Sequence, residues 1–185
     1  LGFVGRLAQQ KGLDLMLPVL GDILADDVQL VFLGTGEARY NQVLQDLAQA
    51  HPGQAAVVLG YDEALAHRIE AGADIFLMPS LFEPCGLNQL YSLRYGTLPV
   101  VRHVGGLADT VVDADEAGIE SGKATGFVFR EPEAAAFLHA VRRAITLWPQ
   151  RERWQRLQQT AMAQDFSWRQ SADRYLELYR SITRE

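Results

Sequence analysis

The sequence holds a single cysteine, Cys85, so no disulfide can close within the chain. Its four histidines, His51, His67, His103 and His139, never fall at the spacings by which neighbouring ligands share a metal ion, and no metal site is expected. No apolar run approaches the ~18 residues needed to cross a bilayer, so no membrane partner is expected. Basic charge is in deficit. With 17 Lys and Arg against 23 Asp and Glu, the net charge is -6, which argues against a broad nucleic-acid surface but leaves room for one small basic pocket. Internal repeats and low-complexity tracts are missing too. Nor does the chain open on methionine: it begins L-G-F-V-G, inside an apolar run, and is expected to be a piece of a longer protein. The lack of a signal peptide is then weak evidence about location.

What is present is an ordinary globular balance. The 185 residues are 48% hydrophobic and 22% charged, enough for about one domain with a proper core. Short apolar runs recur at Leu1–Gly5, Leu30–Leu33, Ala55–Leu59, Ile75–Met78, Leu98–Val101 and Phe127–Phe129, the lengths and flanks of buried strands. Helical spacing fills the gaps. Leu13, Met16, Leu17, Leu20, Ile23 and Leu24 share one face, with Asp14 as candidate cap and Pro18 near the first turn. Tyr40, Val43, Leu44, Leu47 and Ala48 share another, and Asp62 suits the cap of a helix reaching Ile69. Leu87, Leu90, Tyr91, Arg94 and Tyr95 form a third face. Gly105-Gly106 opens a turn or short helix through Val112, Asp113–Lys123 reads as a surface loop, and residues 133–182 read as helices broken near Pro149 and Ser167. Trp148, Trp154, Phe166 and Trp168 are expected to pack on one side of the sheet. Phe166, Tyr175, Leu176 and Tyr179 are also candidates to face a missing part of the protein. Alternating strands and helices predict an α/β fold: a Rossmann-like, open, parallel sheet with helices on both faces.

The stretch from Asp74 to Gly106 organises the rest. Strand, helix and strand follow in so few residues that the two strands must be parallel, and ligands in such sheets sit beyond the carboxyl ends of the strands. The loop after Met78 holds Ser80, Glu83, Cys85 and Gly86. Gly86 is expected to open the helix with free N–H groups, a ready phosphate site. Glu83 stands beside it, either to face a sugar or as a carboxylate favoured by the helix dipole. Lys11 precedes another helix start, where a cation is unfavourable unless an anion shares the site. With Arg6 it would neutralise a diphosphate, unless both are solvated surface charges. Tyr61 would stack on a base or lie half-buried. Gly34-Thr35-Gly36 is only part of a dinucleotide fingerprint. Cys85 reads best as a small packing residue, and Gly105-Gly106 as a close backbone approach or a tight turn.

Together these residues resemble the C-terminal half of the bacterial glycogen synthases and plant starch synthases. The matching segments are V-G-R-L-x-x-Q-K-G from Val4, G-Y-D-E-A from Gly60, P-S-L-F-E-P-C-G-L-N-Q-L-Y from Pro79, Y-G-T-L-P-V-V-R-H-V-G-G-L-A-D-T-V from Tyr95, and D-F-S-W from Asp165. The resemblance implies the nucleotide-sugar half of a two-domain GT-B glycosyltransferase, a cytoplasmic enzyme. The implied reaction is retaining transfer of glucose from ADP-glucose to an α-1,4-glucan, without cofactor or metal. It implies that Arg6 and Lys11 hold the diphosphate, that Tyr61 stacks on adenine, and that N–H groups near Gly86 and Leu87 bind the distal phosphate. Glu83 and Gly105-Gly106 would face glucose, with Ser80, Cys85, Asp109 and Thr110 also on the donor. The wider retaining group often carries a second glutamate eight positions after the first. Here that position is Tyr91, which resembles the glycogen and starch synthases. A donor domain for a UDP- or GDP-sugar, and a non-catalytic nucleotide-sugar module, are the alternatives.

Overall fold

The structure, a computed structural model, describes residues 1–183. Six strands form one all-parallel sheet: β1 (Gly2–Val4), β2 (Leu30–Gly34), β3 (Ala55–Leu59), β4 (Ile75–Met78), β5 (Leu98–Arg102) and β6 (Phe127–Phe129), in the order β3-β2-β1-β4-β5-β6. The expected Rossmann-like architecture is therefore present. Parallel strands need crossovers, which here carry helices over both faces. The strands are apolar on both sides for that reason. Ile75 and Leu77 of β4 join a large core with Phe3, Phe32, Leu98 and Val100. Their alternates Phe76 and Met78 point into a smaller one with Val101, Leu107 and Val111.

The helix expected from Leu13 to Leu24 is broken. It runs as α1 (Leu13–Met16), a 3-10 turn over Leu17–Val19, and α2 (Leu20–Leu24). Pro18 is the cause, since it has no N–H to give and its ring crowds the preceding turn. Asp14 is not the cap. Gly12 takes that place at φ 76°, and the Asp14 carboxylate instead accepts from the Tyr40 hydroxyl at 2.8 Å. The helices α3 (Ala38–Ala50) and α4 (Glu63–Gly72) stand where expected, and Asp62 caps α4 by accepting from the Leu65 N–H at 2.8 Å.

Two further expectations fail, over the 113–123 loop and over the C-terminal aromatic residues. Helix α5 spans Asn88–Tyr95 and buries Gln89, Ser92 and Leu93, while Leu87, Tyr91, Arg94 and Tyr95 are exposed. After α6 (Gly105–Thr110), the presumed loop contains α7 (Glu116–Glu120), capped by Asp115, whose carboxylate accepts from the Gly118 N–H at 2.7 Å. The chain ends in α8 (Ala134–Leu147), α9 (Arg151–Met162) and α10 (Trp168–Ile182). Trp154 is buried and stacks on Phe127, but Phe166 and Trp168 are exposed rather than packed on the sheet, and α10 buries no residue. Among the described residues no helix is long and apolar enough to cross a membrane.

Candidate active site

Strand order reverses between β1 and β4. From β1 the chain winds outward to β2 and β3, from β4 to β5 and β6, so the loops leaving these neighbours turn apart and open a crevice at their carboxyl ends. The β1 loop brings Arg6 and Lys11; the β4 loop brings Ser80, Glu83, Cys85 and Gly86. The two loops are tied together. The Leu81 N–H donates to the Gln10 carbonyl at 2.8 Å, and Gln10 Nε2 donates to the Phe82 carbonyl at 3.1 Å. Arg102, at the end of β5, donates to the Ser80 and Leu81 carbonyls. Gly12 lies against the Pro79 carbonyl, where any Cβ would collide.

Within this frame Lys11 Nζ lies 2.5 Å from Glu83 Oε2, and Ser80 Oγ donates to the same oxygen at 3.0 Å. Glu83 is only 7% exposed. A carboxylate so far from water needs such partners, and losing one would leave an uncompensated charge. Behind it stands α6. The Gly106 N–H donates to the Glu83 and Pro84 carbonyls at 3.1 and 3.2 Å. A side chain on Gly105 or Gly106 would strike the Glu83 or Cys85 carbonyl, so the close backbone approach, not a free turn, explains the glycine pair.

Gln89 secures the rest of the loop. Its Nε2 donates to the Cys85 carbonyl at 2.9 Å and the Gly86 carbonyl at 3.1 Å, and lies 3.4 Å from Thr110 Oγ1. Thr110 in turn donates to the Gly106 carbonyl. Its hydroxyl therefore fastens α6 to itself and to α5. Gly86 has a left-handed φ of 72° and does not open the helix; α5 begins two residues later, after exposed Leu87. Cys85 is exposed, contrary to a packing role, and Asp109 is exposed on α6.

Beside the Lys11–Glu83 pair lies a cleft of about 410 Å³, bounded by Arg6, Thr35, Tyr61, His67, Asn88 and Tyr91. Arg6 points here rather than at Glu83, and its guanidinium holds Gln10 Oε1 at 2.9 Å. Tyr61 stands at the rim, 89% exposed. Sequence reasoning missed three residues of this cleft. Asn88 Nδ2 donates to the Val4 carbonyl at 2.9 Å, joining α5 to the end of β1. Glu70 is buried on α4, with His67 Nδ1 3.2 Å from its Oε2. Burial pushes the Glu70 carboxyl above its usual range, and the nearby His67 opposes the shift. The available signal was the i, i+3 spacing of His67 and Glu70 on one helix face. A larger hollow of about 830 Å³ lies around Leu1, Asp74 and Trp148, at the amino edge of the sheet, and holds none of these residues.

Comparison with known proteins places the chain in a family. The chain is 54% identical over 98% of its length to glycogen synthase 2 of Nitrosococcus oceani, and 56% identical over 98% to the glycogen synthase of Halorhodospira halophila. It spans only 37% and 38% of those relatives. The catalytic domain of starch synthase IV from Arabidopsis thaliana, bound to ADP and acarbose, superposes with a TM-score of 0.87 at 37% identity, over 99% of this chain and 38% of that one. HepE of Anabaena in complex with UDP-glucose shares the fold alone, with a TM-score of 0.66 at 17% identity over 88% and 42% of the two chains. Residues 1–160 match the family model described as glycosyl transferases group 1. A parallel sheet whose switch point gathers a cation, a buried carboxylate and bare glycine backbone is thus matched by a family model covering most of the sequence, and the chain belongs to the group 1 glycosyl transferases.

Proposed function

We propose that this chain is the donor-binding domain of a glycogen or starch synthase. It holds ADP-glucose while glucose passes, with retention at the anomeric carbon, to the non-reducing end of an α-1,4-glucan. The observation that carries the reading is the Lys11–Glu83 pair at the switch point, a cation and a buried carboxylate fixed side by side. Breaking a sugar–phosphate bond places positive charge on the sugar and negative charge on the leaving diphosphate, and these two groups suit those two charges. Arg6, Lys11 and the N–H groups about Gly86 and Leu87 take the diphosphate. Glu83 and the Gly105-Gly106 backbone face glucose, with Ser80 orienting the carboxylate. Asp109 and Thr110 stand behind the sugar, Cys85 edges the phosphate, and Tyr61 stacks on adenine.

The starch synthase bound to ADP and acarbose supports both the nucleotide and the glucan class. The acceptor and a share of the chemistry then belong to a further α/β domain, completing a GT-B enzyme of the cytoplasm. Positive charge from Arg6, Lys11 and backbone N–H groups takes the place of a divalent metal, so EDTA should leave turnover unchanged. The test is calorimetric titration of the chain with ADP and UDP beside an assay of glucose incorporation from ADP-glucose. Weak binding of ADP in preference to UDP, with no elongation by the chain alone, is expected. Tighter binding of UDP would overturn the donor assignment, and clear elongation would overturn the need for a second domain.

A further inference from the structure

Glu70 is the most anomalous group in the cleft. Its residue is 2% exposed, yet Oε2 has no hydrogen-bond partner among the described residues. His67 Nδ1 lies 3.2 Å away, a contact that only partly offsets the burial of the carboxylate. A buried carboxylate oxygen left unmatched costs stability, so native proteins seldom keep one without use. Glu70 does not lie in a sealed core but lines the cleft together with His67 and Tyr91.

Charge is unevenly spread along that cleft. Arg6 stands at the end that Gln10 ties to the Glu83 loop, while Asp62, Glu63 and Glu70 all belong to α4 or its cap. An anion belongs at the first end. The second suits a neutral group rich in N–H or O–H donors. A nucleoside diphosphate has this polarity, with phosphates at one end and the amino and hydroxyl donors of base and ribose at the other. We propose that Glu70 is a specificity-determining residue of the donor site, whose carboxylate accepts a hydrogen bond from an N–H or O–H of the bound nucleoside. The inference rests on the nucleotide-site reading above. His67 then acts as a positioning residue. It is held edge-on by Tyr91 at 5.4 Å and Tyr95 at 6.2 Å between ring centroids, and keeps the carboxylate turned to the cleft.

Two substitutions separate this from a structural role. Glu70→Met keeps the volume and removes the acceptor; Glu70→Gln keeps one neutral acceptor. Glu70→Met should weaken ADP binding about tenfold, in line with a hydrogen bond to a charged group, and Glu70→Gln by about threefold. The melting temperature should hold or rise in Glu70→Met, because an unmatched buried charge has gone. A merely structural carboxylate would give the opposite, with stability lost and affinity kept. Titrations with 2′-deoxy-ADP, 3′-deoxy-ADP and inosine diphosphate identify the donor. The analogue lacking it should bind the wild-type protein about tenfold more weakly than ADP and bind Glu70→Met no worse than ADP does. ADP binding unchanged in both variants would overturn the proposal while leaving the nucleotide site standing. If Glu70→Met does not fold, unchanged affinity in Glu70→Gln alone overturns it. A wild-type protein that binds no ADP would remove the donor reading and this inference with it.

Discussion

The two halves of the crevice are built to different standards. Around Glu83 the groups are held by several fixed bonds: Lys11 and Ser80 on one carboxylate oxygen, Arg102 and Gln89 on the loop carbonyls, Gly106 against the backbone, although Gln89 Oε1 is itself without a partner among the described residues. Around Tyr61 the ring stands 89% exposed, Arg6 holds only Gln10, and Glu70 has an unmatched oxygen. The difference matches two kinds of work. Charge that develops during bond breaking is best met by groups already in place, because reorganisation at that moment raises the barrier. A ligand's flat or hydroxylated parts can be met by groups that settle only when it arrives.

If the comparison holds, substitutions in the rigid half should change turnover and those in the open half should change affinity, with Arg6 the exception because its charge would meet the leaving group. The largest effect belongs to Glu83→Gln. In the complete enzyme kcat should fall roughly a hundredfold (~3 kcal/mol) with the ADP dissociation constant hardly moved. A loss below about fivefold (~1 kcal/mol) would make Glu83 a structural carboxylate and erase the contrast. Next come Lys11→Ala and Arg6→Ala. Charge-assisted bonds to phosphate contribute ~1.5–3 kcal/mol, so steady-state kinetics should show tenfold or greater losses. These should appear in kcat as well as KM, since leaving-group charge grows in the transition state. Lys11→Ala should also lower the melting temperature, because it strips a partner from buried Glu83, whereas Arg6→Ala should not. Equal melting temperatures in the two variants would mean the pair is not held as described.

Tyr61→Ala should raise KM by about fivefold (~1 kcal/mol, the low end for base stacking), with kcat and thermal stability kept. The smallest effect is a pH dependence. The Glu70 carboxyl titrates above its ordinary 4.5, chiefly through burial and against the pull of His67. The folded state thus holds that proton more tightly than the unfolded chain, and ionised Glu70 costs stability. The cost is full above the raised value and disappears below about 4.5. The melting temperature of the wild type should therefore gain on that of Glu70→Gln as pH falls through this window. Arg6, Asp62, Glu63 and His67 face the same cleft and are common to both proteins, so a difference that stays flat with pH would count against the burial of this charge.

The sheet was legible because a strand covered on both faces has no polar side to hide: Ile75–Met78 and Leu98–Val101 read directly as buried parallel strands. The gathering of the loops was legible because Lys11, Glu83 and the glycines are residue types with few reasons to stand where they do. Helix α5 stands where its spacing put it, but which side it buries was not legible, for a physical reason. Spacing put Leu87, Leu90, Tyr91, Arg94 and Tyr95 on one face, but the buried side carries Gln89 and Ser92, polar residues whose hydrogen bonds to Cys85, Gly86 and Asn88 exist only in the folded arrangement. Glu70 was invisible for a related reason. Apart from its spacing to His67, nothing local marks this glutamate as buried, and Val4 and Asn88, which line the same cleft, come from far along the chain. The break at Pro18 was readable, but its effect depended on which turn of the helix it occupied, and boundaries are the least determined part of such a reading.

The contact of Gly105 and Gly106 with the Glu83 and Cys85 carbonyls has a consequence for anyone who would recombine this protein with its relatives. The loop after β4 and the first turn of α6 share one surface with no side chain between them, and Gln89 and Thr110 cross-link its far edge. A chimera that exchanges residues 79–86 while keeping a bulkier host sequence at 105–106 would push the imported glutamate off its lysine. The heritable and transplantable unit is therefore discontinuous: two segments separated by a whole helix and strand, which must travel together to keep their shape.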